Sequence, residues 1–309
     1  MRVSSARPPI LFVALCAVLL PGCDSSSDAG GERRSTAPAS AVRVVASTNV
    51  YGDIVRQVGG DRVAVESIIS DPAQDPHSYE ASSRNQLALS RARVVVENGG
   101  GYDDFIGKML RAANNTSVDV VNVVQVSGKT APAGGELNEH VWYDLPTAGR
   151  LATRLADALT RADPADGAFF HRNAEAFGGR LASLEAEEAR IKADHPGTAV
   201  AVTEPVPLYL TEASGLRDMT PADFSAAVEE GTEVPASSMR QMLDLFTGKR
   251  VKALVYNQQT TGPQTEKVKK AAVDNGIPVV PVTETLPQGQ DYVSWMKANI
   301  DALRKALGP

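Results

Sequence analysis

Only two cysteines occur in the 309 residues, Cys16 and Cys23, and both stand in or just after an apolar run near the N-terminus. With that run removed and Cys23 modified, no free thiol is left. Disulfides and thiolate metal ligation are thereby excluded for the rest of the chain. A basic excess is also missing: 31 Lys and Arg face 37 Asp and Glu, a formal charge of −6 at pH 7, which makes a nucleic-acid partner a poor fit. No second apolar run is long enough to cross a bilayer. Aromatic residues make up 5% of the chain, and no aromatic-rich patch or repeat array marks an adhesive surface. There is no His-Glu-x-x-His element of the metalloprotease type. Histidine is scarce too, with four residues, His77, His140, His171 and His195.

The N-terminus reads as a secretory signal. Arg2 and Arg7 precede the apolar stretch Ile10 to Leu20, which is short for a membrane span, and Leu20-Pro21-Gly22-Cys23 follows as a cleavage site. Leucine three places before a cysteine, with glycine next to it, resembles the lipobox of bacterial lipoproteins, which implies cleavage before Cys23 and lipidation of that residue. Residues 1–22 are accordingly expected to be a signal peptide. Their loss removes Arg2 and Arg7 and no acid, moving the formal charge from −6 to −8. Residues 23–41, with the run DSSSDAGGERRSTAPAS, lack any apolar periodicity and read as a flexible tether.

From residue 42 β-branched runs alternate with helical periodicity. VRVVAS, VAVESIIS, VVVENG and VDVVNVV read as strands, with helices over NVYGDIVRQVGG, SSRNQLALSRA and DDFIGKMLRAA. The irregular SGKTAPAGGELNEHVWYDLPTA breaks the pattern before a helical region expected to begin near Thr147. A long helix is expected after Asp163-Pro164, running to about Asp194 with Phe169, Phe170, Phe177, Leu181 and Leu184 as its apolar stripe, although Gly178-Gly179 weakens its middle. A second alternating block follows, with TAVAVTE, VKALVYN and IPVVPVTE as strands, PLYLTEASG, SSMRQMLDLFTG and TEKVKKAAVDNG as helices, and YVSWMKANIDALRKAL as the last helix. The expected architecture is α/β, two lobes with mostly parallel sheets over 42–163 and 196–309, joined by the long helix over 164–195.

Ligands of open α/β sheets bind beyond the carboxyl ends of the strands. That rule selects His77 after VAVESIIS, Glu204 at the end of TAVAVTE and Glu284 at the end of IPVVPVTE. His140, in NEHVWYD, lies at the end of the first block. Two imidazoles from the first lobe and two carboxylates from the second would neutralise and hold a divalent cation between the lobes. Each residue alone also has a plain reading: His77 as a solvated turn residue, His140 as a core histidine beside Trp142, and both glutamates as exposed strand-end acids. His171 reads as a helix-surface residue and His195 as a cation at a helix C-terminus.

The segments SDPAQDPHSYEAS, ARVVVENGGGYDDFIGKML, EHVWYDL and VSWMKANIDALRKAL together resemble the metal-binding, substrate-binding lipoproteins of ABC transporters, the cluster that captures zinc or manganese outside the membrane. PHSYE and HVWYD are the most recognisable motifs. The resemblance implies two Rossmann-like lobes joined by a rigid helix, closing modestly on metal in the cleft between them. His77 and His140 match its two histidine ligands. Glu204 takes the third position, and Glu284 stands where the pattern usually has Asp, one methylene longer. Asn257 and Gln258 replace an acid common in relatives and are not counted as ligands. The implied partners are a membrane permease and a cytoplasmic ATPase, with the monomeric protein held outside the cytoplasm by its lipid.

A two-His, two-carboxylate set suits manganese and zinc alike. The stretch SGKTAPAGGELNE carries none of the histidines of the loop found in many zinc-capturing relatives, so Mn²⁺ is expected ahead of Zn²⁺, with Fe²⁺ also compatible. Two rival functions are a secreted metallohydrolase using the same ligands with an open position for water, and a surface adhesin or structural lipoprotein. The first would hydrolyse esters or peptides; the second would leave metal uptake untouched.

Overall fold

The computed structural model describes residues 41–71, 79, 82–133 and 135–308. Cys23 and His77 lie outside the described residues. The first lobe runs β1 (Val42–Thr48), α1 (Asn49–Gly59), β2 (Val63–Ile69), α2 (Ser83–Arg91), β3 (Val94–Glu97), α3 (Asp104–Ala113), β4 (Asp119–Asn122), α4 (Val123–Ser127) and α5 (Leu145–Ala162). Helix α6 (Gly167–Asp194) follows. The second lobe runs β5 (Ala199–Val202), α7 (Leu208–Ala213), β6 (Arg217–Asp218), α8 (Ala222–Glu229), α9 (Ala236–Thr247), β7 (Leu254–Asn257), α10 (Pro263–Asp274), β8 (Val279–Val282) and α11 (Tyr292–Leu307).

Among the described residues the strands form two four-stranded sheets, ordered β2-β1-β3-β4 and β6-β5-β7-β8, with every pairing parallel. The α/β expectation with two parallel sheets is met, and the two lobes repeat one strand order. In both, the order reverses beside the first strand, which opens a crevice at the strand ends next to β1 and β3 and next to β5 and β7.

Parallel sheets covered on both faces need apolar residues at successive strand positions, and the inner strands β3, β5 and β7 supply them, while Arg43, Glu66 and Arg217 stand at exposed positions of β1, β2 and β6. Val44, Ala46, Val94 and Val96 face a large core that continues through α5, α6 and α11 to Val200, Val202 and Val255 of the second sheet. The alternate residues face outward-lying cores, Val45 and Val95 with Leu89 and Ile106 in the first lobe, Ala201, Leu254 and Tyr256 with Phe224 and Phe246 in the second.

Helix α6 is continuous through Gly178-Gly179. It buries Phe170, Phe177, Leu181, Leu184 and Ile191 in the large core and leaves Phe169 half-buried at its edge. Each such side chain contributes roughly 1.5–3 kcal/mol on burial, enough to outweigh a glycine cost of about 1 kcal/mol per residue. Two elements lie outside the sequence expectation, β6 and α8. VDVVNVV also splits. The strand stops at Asn122, whose side chain accepts a hydrogen bond from the Gln125 N–H and starts α4. No helix among the described residues is long and apolar enough to cross a membrane.

Candidate metal site

Glu204 and Glu284 each lie two residues beyond a strand end, where the backbone leaves the sheet and turns the side chain into the crevice. They are 3% and 1% exposed, and His140 is 0% exposed, so the surface reading of the two acids fails on burial. His140 starts a short 3₁₀ turn, Val141–Tyr143, and packs between Tyr102 and Trp142 with ring centroids 5.9 and 5.0 Å away.

The neighbours of His140 fix how its imidazole can act. Nδ1 lies 2.8 Å from Asn138 Oδ1, which also accepts the His140 backbone N–H at 3.1 Å, while Asn138 Nδ2 donates to the Pro205 carbonyl at 3.0 Å. That assignment satisfies all three contacts only if Nδ1 carries the proton. Nε2 therefore presents its lone pair to the crevice, the state a metal ligand requires. Tyr209 donates to the Asn138 carbonyl at 2.7 Å, so Asn138 is anchored from the second lobe at both ends, one residue from Glu204.

Glu284 is held as firmly. Asn257 Nδ2 donates to Oε1 at 2.8 Å, Tyr102 donates to Oε2 at 3.2 Å, and Gln259 Oε1 accepts the backbone N–H groups of Glu284 and Thr285 at 2.5 and 2.9 Å. Asn257 thus orients a carboxylate. The Glu284 carboxylate pushes the Tyr102 hydroxyl further above its ordinary pKa, after burial itself. Oε2 of Glu284 stands 3.9 Å from His140 Nε2.

Two further carboxyls join this group that the sequence did not single out. Oε1 of Glu229, the last residue of α8, is 3.8 Å from His140 Nε2, and ligand atoms of Glu139, His140 and Glu229 all lie within 4.8 Å of one another. Burial pushes the Glu229 carboxyl up to about 9, and the charges of Glu139, Glu204 and Glu284 push it the same way. Glu204 is thereby placed within electrostatic reach of the same cluster. Glu139 is positioned by its backbone, since its carbonyl accepts from Asn98 Nδ2 at 3.0 Å.

Direct bonds tie the two lobes around this crevice. Asn49 and Leu286 exchange two hydrogen bonds of 2.9 Å, Tyr143 donates to the Thr283 carbonyl at 2.7 Å, and Tyr292 donates to the Trp142 carbonyl at 2.6 Å. The result is a buried pocket in which carboxyl groups approach one imidazole nitrogen. Such N and O donors without sulfur fit a divalent first-row ion and give no soft-metal preference.

Residues 44–306 match the family described as zinc-uptake complex component A, periplasmic. The chain belongs to this family. The chain is 25% identical over 318 residues to the iron ABC transporter substrate-binding lipoprotein MtsA of Streptococcus pyogenes serotype M1, covering 96% of this chain and 97% of that protein. It is 23% identical over 316 residues to the manganese ABC transporter substrate-binding lipoprotein PsaA of Streptococcus pneumoniae, covering 96% of both. The fold matches the periplasmic zinc binding protein TroA of Treponema pallidum with a TM-score of 0.75 and 20% identity, over 87% of this chain and 100% of that one. The curated relatives are substrate-binding components of metal ABC transporters, and they differ in the metal named.

Proposed function

We propose that this protein captures a divalent transition metal outside the cytoplasm and delivers it to an ABC importer, holding the ion with His77, His140, Glu204 and Glu284. The observation that carries the reading is the buried approach of Glu284 to within 3.9 Å of a His140 Nε2 whose tautomer is set for a metal. His77, in the segment leading to α2, completes the ligand set. A lipid on Cys23 anchors the monomer to the membrane, where a permease driven by an ATPase receives the cargo.

Mn²⁺ is the preferred cargo, ahead of Zn²⁺, with Fe²⁺ also accommodated. Carboxylate-rich sites suit the harder ion, although a given N/O site binds zinc more tightly than manganese in the general order. Family relatives named for iron, manganese and zinc support a metal carrier without choosing among the three.

The test is a competition titration of Mn²⁺ against Zn²⁺ on the metal-stripped protein, with bound metal counted by elemental analysis. One equivalent is expected. His77→Ala and His140→Ala should each abolish tight binding while the circular dichroism spectrum stays unchanged. The absence of stoichiometric metal in the unsubstituted protein, or full affinity in both variants, refutes the proposal. Hydrolysis of esters or peptides by the metal-loaded protein, lost in His140→Ala, would make it an enzyme instead.

A further inference from the structure

We infer that Glu229 is a fifth direct ligand of the captured ion and the residue that biases this cleft toward ions of higher coordination number. The inference rests on the metal-capture reading of the cleft and extends it to a residue that sequence position does not select.

Distance is the main ground. Bonds of about 2.0–2.2 Å from an ion to nitrogen and oxygen place two donors of one ion no more than roughly 4.3 Å apart. Glu229 Oε1 is 3.8 Å from His140 Nε2, and Glu284 Oε2 is 3.9 Å from the same atom. By this measure Glu229 is as well placed as Glu284 to share an ion with His140. It closes α8, and a carboxyl oxygen of Glu139 from the first lobe lies within 4.8 Å of it and of His140.

Access is a second ground. Glu229 and Glu139 line a surface groove of about 610 Å³ between the 136–139 loop and α8, together with Glu136 and Glu230. Four carboxyls line that groove, and Glu229 belongs both to it and to the cluster around His140.

Selectivity follows from counting donors. Zn²⁺ is satisfied by four donors, so a further oxygen adds little for it. Mn²⁺ and Fe²⁺ take five or six donors and prefer oxygen-rich sites, so a third glutamate favours them.

The test compares the stripped protein with Glu229→Gln, a nearly isosteric change, and with His140→Ala, each titrated with Mn²⁺ and Zn²⁺ in competition. Glu229→Gln should lose about ten-fold or more in Mn²⁺ affinity and less than about three-fold in Zn²⁺ affinity. A crystal of the Mn²⁺-loaded protein, with the ion located by anomalous scattering, should show a Glu229 oxygen in the inner coordination sphere. Equal losses for the two metals, no loss for either, or a Glu229 carboxylate outside that sphere overturns the inference. If those results come with one equivalent of metal in the unsubstituted protein and none in His140→Ala, the capture reading survives. If the unsubstituted protein takes up no metal, both fall.

Discussion

Glu188 sits on the buried face of α6, 4% exposed, and its Oε1 has no hydrogen-bond partner among the described residues. Burial is the main reason its carboxyl is pushed up to about 8, with Glu185 one turn earlier on the helix and Asp144 at the start of α5 adding like charge. Tyr292 of α11 feels the same charge from the opposite side. Between an ordinary value of 4.5 and about 8, the folded protein keeps this proton while the unfolded chain releases it. The folded state then binds more protons, so stability falls as pH rises through that window. The contribution is fully present below the unfolded value and lost above the folded one. At about 1.4 kcal/mol per pKa unit, the full span is worth about 5 kcal/mol. Glu188→Gln removes the titration and keeps the shape. Urea unfolding of the metal-stripped protein, followed by circular dichroism at about pH 5 and about pH 8.5, should show the variant gaining up to about 4 kcal/mol on the unsubstituted protein between the two conditions. Parallel pH profiles, with a difference that changes by less than about 1 kcal/mol, would refute the assignment of a buried, protonated Glu188.

Asn138→Ala should leave the fold intact and weaken metal binding by about 10–100-fold, because it frees the imidazole ring and the tautomer of His140; isothermal titration checks this, and an unchanged affinity contradicts the role given to Asn138. Gly178→Ala and Gly179→Ala should each stabilise the protein by about 0.5–1 kcal/mol, since both lie in a continuous helix and an added Cβ meets nothing within 4 Å. A lower thermal midpoint in either variant would count against open space around that turn.

Strand and helix alternation was legible because these strands are short β-branched runs punctuated by glycine and by polar caps such as Ser82, whose side chain accepts from Asn85 N. The approach of Glu284 to His140 was also legible, since a parallel sheet sends its carboxyl ends to one side and the two residues lie near such an end and at the close of a lobe. Glu229 was not. In the run Glu229-Glu230-Gly231-Thr232-Glu233 it looks like a solvated acidic turn, and only the packing of α8 against the 136–139 loop separates Glu229 from its neighbours. Asn138 was hidden for a related reason: its value lies in three hydrogen bonds, one of them to a backbone carbonyl 67 residues away. The strand β6 has only two residues, too few for any period to register.

The bonds that join the lobes also bear on how long cargo stays. Parting the lobes breaks the two bonds between Asn49 and Leu286 and those of Tyr143 and Tyr292, and it strains a core that runs unbroken from β1 to β7. At about 1 kcal/mol net per hydrogen bond, four such bonds alone hold the parted form to roughly one molecule in a thousand. An ion that can leave only from that form has a residence time lengthened about a thousand-fold. For a carrier of the kind proposed, discharge would then be a property of the acceptor: a surface that binds the parted form better by a similar free energy would turn a store into a donor, and until the two met the ion would stay where it was bound.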